Sequence, residues 1–131
     1  MARIMAIDPG DVRIGLAISD PTATISRPLS VIRHRSRRED AERIVDEAQI
    51  HSVEKIIVGL PLGSEGEMGP QARKAMRLVE ALRELTSLPV ETWDESGSSM
   101  AVSQKSRKNQ PVDSQAAAFI LQEYLNATKS T

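Results

Sequence analysis

Residues 5–20 read MAIDPGDVRIGLAISD, and this stretch decides how the fold begins. An apolar run ends at Asp8, and Pro9-Gly10 follows as a strong turn signal. Residues 13–19 then alternate large apolar side chains with small residues, which is typical of a half-buried strand. The stretch therefore predicts two neighbouring strands that form a hairpin, with a carboxylate at the tip of the first strand.

Downstream of the hairpin, the spacing of the apolar residues distinguishes strands from helices. The sequence predicts strands over residues 3–7, 13–19, 25–32, 55–59 and 89–94, and helices over residues 38–51, 71–85 and 113–126. Pro28 places the third strand at a sheet edge or at a bulge. Three successive strands followed by β-α-β alternation predict an α/β fold, a mixed five-stranded sheet flanked by helices. The ribonuclease H-like fold has this order of elements.

The composition limits the class of protein. A length of 131 residues fits one domain that spans residues 1–131, and the formal net charge of -1 is not that of a general polycation. The chain has no cysteine, which excludes disulfides and Cys-ligated zinc. We find no signal peptide and no apolar run of the roughly 18 residues that a membrane span needs, so we expect a cytoplasmic protein without a membrane partner.

Acidic residues stand at the ends of several predicted elements. Asp8 ends a central strand, Asp94 and Glu95 end the last strand, and Asp113 begins the last helix in line with its inward stripe. In open α/β sheets, ligands bind at the carboxyl ends of the strands, which favours a site there. Each acid also has a structural explanation, because Asp often starts turns and caps helices. By position alone, both interpretations of Asp8 and Asp113 stay open.

Several carboxylates at one sheet end suggest a cation, because packed carboxylates repel one another unless a positive charge lies among them. Oxygen ligands without His or Cys favour Mg²⁺ or Mn²⁺. A pair of such ions can activate water and stabilise the leaving oxygen in phosphodiester hydrolysis. His34 and His51 are poor alternative ligands, since one lies among arginines and the other ends a helix.

Basic residues are concentrated in two segments. Residues 27–38 contain five arginines, one histidine and no acid, and Lys105, Arg107 and Lys108 form a second cluster. Each cluster alone is explained by a solvated surface. Beside a phosphate-handling site, the two together would form the electrostatic footprint of nucleic-acid binding.

Four motifs in order give the chain a family resemblance. They are DPGDVRIGLAISD at residues 8–20, IIVGLPL with a glycine-containing loop at residues 56–69, DESGSS at residues 94–99, and VDSQAAAFILQEYL at residues 112–125. Over nearly its full length the chain resembles the YqgF/RuvX family of pre-16S rRNA nucleases, also described as Holliday junction resolvases. The resemblance implies a ribonuclease H-like fold and metal-dependent nuclease activity on structured nucleic acid.

The resemblance also implies roles for particular residues. It places the catalytic, metal-binding acids at Asp8, Glu95 and Asp113, with Mg²⁺ or Mn²⁺ as the cofactor. The expected nucleic-acid contacts are Gly10, Arg13, Ser98, Ser99, Lys105, Arg107 and Lys108. Turn geometry explains Gly10 equally well, and an exposed charge at a strand start explains Arg13.

One segment departs from the family pattern. The arginine that usually follows the Asp-Glu pair is replaced by Ser96, and the stretch from Glu95 to Asp113 is shorter than usual by about two helical turns. Because that segment normally supplies a helix and basic residues, its shortening predicts a weaker hold on the substrate and a reduced activity.

Four functions compete at this point. The favoured one is a nuclease that processes the 5′ end of pre-16S rRNA in ribosome biogenesis, as a monomer or homodimer. The others are a resolvase of branched DNA, which would need a dimer for symmetric cuts, and a non-catalytic nucleic-acid-binding protein. An actin-like ATP-binding domain shares the Asp-x-Gly turn, but such proteins normally enclose the nucleotide between two domains.

Overall fold

The computed structural model describes residues 2–63, 65–94 and 114–129, and its centre is the hairpin that opens the chain. Strand β1 (Arg3–Pro9) pairs antiparallel with β2 (Arg13–Ser19), and the register sets Ala6 opposite Ala17 and Asp8 opposite Gly15. Both strands are almost entirely buried. The predicted hairpin is therefore confirmed, although β1 runs two residues further than expected and includes Asp8 and Pro9.

The third strand lies at one edge of the sheet. Strand β3 (Ser26–Arg33) pairs antiparallel with β2, and the register shifts between Leu16 and Ala17, next to the position of Pro28. Proline cannot donate to a strand ladder, so an edge position beside an irregularity accommodates it. Pro28 therefore lies on an edge strand and beside a register irregularity, which confirms the position predicted for it from the sequence.

Two parallel strands complete the sheet on the other side of β1. Strand β4 (Val53–Leu60) pairs with β1, and β5 (Val90–Asp94) pairs with β4, which gives the order β3-β2-β1-β4-β5. Strand β4 is apolar and buried over its second half because helices cover both of its faces. The predicted mixed five-stranded sheet is confirmed.

Three helices flank the sheet: α1 (Arg37–Ile50), α2 (Pro70–Leu85) and α3 (Ser114–Lys129). Helix α1 begins with a side-chain cap, in which the Ser36 hydroxyl accepts a bond from the Glu39 amide and donates one to the Glu39 carboxylate. Helix α2 begins with Pro70, whose fixed backbone angle suits a first turn. The predicted apolar stripes of α1 and α2 face the core.

The sheet separates two apolar clusters. Met5 and Ile7 of β1 belong to the larger cluster under α1 and α2. Ile4 and Ala6 belong to the smaller cluster, where they pack with Leu121 of α3. Successive residues of a strand point to opposite faces, so this division also fixes the face to which each later residue of β1 points.

The longest helices in the three described ranges have 16 residues. A helix that spans a bilayer needs about 20 predominantly apolar residues. No helix in this part of the chain meets that requirement.

Candidate active site at the carboxyl end of strand β1

Asp8 is a buried carboxylate at the end of the central strand. Only 5% of its surface is exposed. It continues the alternation of Ile4 and Ala6, so its side chain is on the face of the sheet that α3 covers. Carboxylates are seldom buried to this extent, so the position of Asp8 is more than chain reversal at the turn requires.

Two glycines flank Asp8 on the neighbouring strands. Gly15 is its register partner on β2. Gly59 follows Val58, which pairs with Ile7, so it is the β4 residue next to the level of Asp8. Both glycines are buried and lack a side chain, so neither adds side-chain atoms beside the carboxylate. Glycines at these positions suit a ligand that approaches the strand end closely.

Helix α3 covers the Asp8 face of the sheet, where Ala117 near its amino end packs with Ala6. Near its other end, Tyr124 accepts a 2.9 Å hydrogen bond from Lys55, which pairs with Ile4 at the start of β1. Ten residues earlier the helix begins at Ser114, roughly 15 Å along its axis, and Ser114 is buried. The first turn of α3 therefore lies on the Asp8 face of the sheet.

The last two residues of β5, Trp93 and Asp94, lie on opposite faces of the sheet. Trp93 packs on the α3 side of the sheet, where its ring meets Tyr124 edge to face at 5.3 Å. Asp94 pairs with Leu60, which belongs to the cluster on the opposite face. By alternation, Asp94 is thus on the face opposite Asp8. Its carboxylate is not placed to join Asp8.

Most of the predicted site residues cannot be compared with the structure. Glu95, Ser98, Ser99, Lys105, Arg107, Lys108 and Asp113 lie outside the described residues. Within the described ranges, no three His, Asp or Glu side chains gather as a metal site would require. Asp8 is the predicted acid that the structure describes. The convergence of the three acids stays a prediction.

Gly10 and Arg13, two predicted nucleic-acid contacts, are described and lie on different sides of the hairpin turn. Arg13 is exposed, and its alternation with Gly15 and Ala17 puts it on the Asp8 face, where it could reach a phosphate near the carboxylate. Gly10 instead lines a cavity that opens on the opposite face.

This cavity has a volume of about 330 Å³ and was not predicted from the sequence. His34, Arg37, Lys74 and Arg77 line it, together with the turn that follows β1. A partial signal existed, because Arg37 belongs to the basic segment and Lys74 and Arg77 are three residues apart on a predicted helix. Their convergence depends on how α1 and α2 pack.

One carboxylate of this cavity has a perturbed titration. Asp11 accepts bonds from Gln71 at 3.0 Å and from Lys74 at 3.1 Å, and these two bonds lower the pKa of Asp11. Asp11 is therefore ionised at neutral pH, and it ties the hairpin turn to α2.

The chain is similar to known proteins over almost its full length. A family model described as "RuvX: Holliday junction resolvase" matches residues 2–127. A protein of Thermoanaerobacter pseudethanolicus, provisionally named pre-16S rRNA nuclease, is 39% identical over 137 positions that cover 98% of this chain and 99% of its own. A Caldanaerobacter subterraneus protein with the same name is 36% identical, with the same shares of both chains covered.

Solved structures share the fold. RuvC of T. thermophilus in complex with a Holliday junction substrate superposes with a TM-score of 0.60 at 17% identity, over 98% of this chain and 96% of its own. The fowlpox virus Holliday junction resolvase superposes with a TM-score of 0.55 at 13% identity, over 96% of this chain and 99% of its own. The predicted ribonuclease H-like fold is thereby confirmed.

Proposed function

Because the chain belongs to the RuvX family, we propose that it is a divalent-metal-dependent nuclease that hydrolyses phosphodiester bonds at the 5′ end of pre-16S rRNA. Nuclease activity is the property that the family and the named relatives have in common. The precursor RNA is the finer part of the proposal. It rests on the names of relatives that match along almost their entire length.

The observation that carries the proposal is the position of Asp8. A buried carboxylate stands at the end of the central strand, between two glycine positions, on the face that the first turn of α3 approaches. An Asp whose only role was to reverse the chain would need neither burial nor a position between two glycines. A site that accepts a cation and a phosphate needs both.

The donor set proposed for the metal is Asp8, Glu95 and Asp113. All three would offer carboxylate oxygens, the ligands that Mg²⁺ and Mn²⁺ prefer. When bound, the metal supplies activation of water and charge stabilisation at the leaving oxygen. In the sequence, Glu95 directly follows the last residue of β5 and Asp113 directly precedes the first residue of α3. Helix α3 packs on the Asp8 face of the sheet, and β5 contributes Trp93 to the same face.

The remaining proposed residues would hold the nucleic acid. In this proposal Arg13 would neutralise a phosphate next to Asp8, and Gly10 would allow the backbone of the hairpin turn to approach the nucleic acid. We assign the same positioning role to Ser98, Ser99, Lys105, Arg107 and Lys108. With these contacts the chain would act as one nuclease domain over residues 1–131, in the cytoplasm where ribosomes are assembled.

A second candidate is a resolvase of four-way DNA junctions. It is favoured by the description of the matching family as a Holliday junction resolvase and by the resemblance of the fold to RuvC. The likeness to RuvC extends to the fold alone at 17% identity. Symmetric cleavage of two strands would require a homodimer, whereas RNA processing requires only a monomer.

A cleavage assay separates the two candidates. A mimic of the pre-16S 5′ end and a mobile four-way DNA junction are incubated with the protein in Mg²⁺, in Mn²⁺ and in EDTA. We expect metal-dependent cleavage of the RNA and little cleavage of the junction. Exclusive cleavage of the junction would reverse the ranking. Binding of both substrates without cleavage in either metal would indicate a non-catalytic binding protein.

A further inference from the structure

We propose that the cavity between the hairpin turn, the start of α1 and the middle of α2 binds a phosphate group of the nucleic-acid backbone. This would be a second contact on the face of the sheet opposite Asp8. The inference rests on the proposed function in one respect, since it requires that the protein bind nucleic acid. It does not depend on which nucleic acid is cleaved.

The cavity joins three elements that are far apart in the sequence. Pro9 and Ile14, which pair across the hairpin, form part of its wall beside the turn. Arg37 stands at the first position of α1, and Arg77 lies in the middle of α2. Apolar side chains of α2, among them Leu78, line the inner part. The result is a concave site with a partly dry wall and cations at its mouth.

The carboxylates of the cavity already have partners. Asp11 accepts bonds from Gln71 and Lys74. Asp40 is 2% exposed, accepts a 3.0 Å bond from the amide of Arg35, and contacts the ring of His34. Their negative charge is therefore directed to groups of the protein itself.

Two guanidinium groups remain for a ligand. Within the described ranges, the side chains of Arg37 and Arg77 make no hydrogen bond or ion pair, whereas the adjacent Arg38 is paired with Glu42 at 3.4 Å. Guanidinium groups bind phosphate through two parallel hydrogen bonds, which makes arginine well suited to this ligand. The amino end of α1 adds the positive end of the helix dipole.

The size and place of the cavity agree with a backbone phosphate. A volume of about 330 Å³ is at the lower end of the range of ligand sites, roughly 300 to 1,000 Å³, and accommodates a phosphate with part of its sugar. The cavity wall includes Pro9, the residue directly after Asp8. A strand held here would pass over the end of the sheet towards the candidate active site.

A matched pair of variants on α2 tests the proposal. Arg77→Gln removes one cavity cation, and Arg73→Gln removes another exposed cation from the same helix, outside the cavity. Binding of a fluorescent duplex RNA and a fluorescent four-way junction is measured by anisotropy over a series of salt concentrations. We expect Arg77→Gln to raise Kd by roughly fivefold to tenfold and to reduce the slope of log K against log salt by about 1. Arg73→Gln should change both values much less.

A second comparison strengthens the test. The double variant Arg37→Gln/Arg77→Gln should bind more weakly than Arg77→Gln alone, and circular dichroism confirms that each variant is folded. Equal losses in Arg77→Gln and Arg73→Gln would overturn the proposal, because only the total charge would then matter.

A titration of the protein with inorganic phosphate, followed by nuclear magnetic resonance, is a further test. Phosphate-induced shifts at Gly10 and Arg37, with unchanged nucleic-acid affinity in the variants, would overturn it in favour of a free-phosphate site.

The outcomes also separate this inference from the proposed nuclease function. If wild-type protein binds no nucleic acid, both are overturned. If wild-type protein binds and cleaves RNA but Arg77→Gln behaves like Arg73→Gln, only the second contact is overturned. If Arg77→Gln weakens binding and no variant cleaves, the second contact is supported and the nuclease proposal fails.

Discussion

At the residue scale, the buried polar side chains of the described ranges differ in what surrounds them. The Ser19 hydroxyl accepts a 2.9 Å bond from the Ile4 amide and donates to the Asp20 carbonyl, so it links β1 to the end of β2. Asp40 joins the start of α1 to the loop before it through Arg35. Asp8 lies beside glycines at a strand end. We interpret the first two as structural and Asp8 as functional.

Asp20 organises the loop between β2 and β3. Its carboxylate accepts bonds from the amides of Ile25 at 2.9 Å and Thr24 at 2.8 Å and from the Thr22 hydroxyl. The bond from the Ile25 amide is the largest of the causes that lower the pKa of Asp20 well below its ordinary value of 3.8. Asp20 therefore stabilises the fold above pH 3.8, and this contribution is lost as the pH falls below that value.

We predict that Asp20→Asn lowers Tm at neutral pH. The difference from wild type should shrink as the pH falls from 3.8 towards the lowered pKa of the native carboxylate, where protonation removes the charge from the wild-type residue too. Thermal unfolding followed by circular dichroism at several pH values measures this difference. Asp46→Asn, at an exposed position of α1, is the control. A constant difference at all pH values would contradict the assigned role of the charge.

Lys55 ties β4 to α3 and β5. It donates a 2.9 Å bond to the Tyr124 hydroxyl and forms a 3.1 Å ion pair with Glu91. The bond to Tyr124 is the main cause that raises the pKa of Lys55 above its ordinary value of 10.5. Its contribution to stability is thus complete below pH 10.5 and is lost as the pH rises through the raised pKa.

Lys55→Met should reduce the free energy of unfolding by about 1 to 2 kcal/mol at neutral pH, because the bond and the ion pair are lost while much of the packing is kept. Urea unfolding at pH 7 and at pH values above 10.5 gives the comparison. The loss should become smaller at the alkaline values. An unchanged loss there would show that packing, and not the ammonium charge, is responsible.

At the element scale, α3 sets the geometry of the candidate site, since its first turn lies on the Asp8 face. It is held there by a small cluster in which Ala117 and Leu121 pack on Ala6 and Ala17. Two small alanines on the sheet allow the helix to approach closely. Ser26 adds a 2.7 Å bond from its hydroxyl to the Ala118 carbonyl.

Leu121→Ala tests this docking. Leu121 has no exposed surface, so its truncation should cost about 2 to 5 kcal/mol of stability through lost burial and a cavity. Phe119→Ala is the control on the same helix, because Phe119 is 38% exposed and should lose less. Chemical denaturation of both variants measures the difference. An equal or smaller loss in Leu121→Ala would show that α3 is held by other contacts.

The elements themselves could largely be predicted from the sequence, because burial repeats with period two in strands and about 3.6 in helices. Their ends could not be predicted as well. Helix α1 begins at Arg37, one residue earlier than expected, where Ser36 caps it, and α3 continues to Lys129, three residues further than expected. Caps and exposed last turns leave little trace in the spacing of apolar residues.

At the scale of the whole molecule, the fold brings residues that are distant in the sequence together at two candidate sites. Asp8 could be singled out from the sequence, because it stands at the end of an apolar run before a turn. The cation-lined cavity could not, because Gly10, Arg37 and Arg77 come together only through the packing of α1, α2 and the hairpin. No local pattern encodes that packing.

The two candidate sites lie on opposite faces of one hairpin, whose turn begins after Pro9. A nucleic acid that used both would cross the end of the sheet, where the carboxyl ends of β1 and β4 meet the solvent. We propose that cleavage takes place on the Asp8 face and that the cavity on the other face gives additional backbone binding. Asp8 is the residue on which the assignment of cleavage depends.

The most direct measurement is the rate at which wild type, Asp8→Asn and Asp46→Asn cleave a pre-16S 5′-end mimic in Mg²⁺. Asn keeps the volume of Asp and removes its charge, so we predict that Asp8→Asn stays folded, binds the RNA and loses at least about 100-fold in cleavage rate. Asp46→Asn, which removes an exposed carboxylate of α1, should cleave like wild type. Equal rates for Asp8→Asn and wild type would contradict the account.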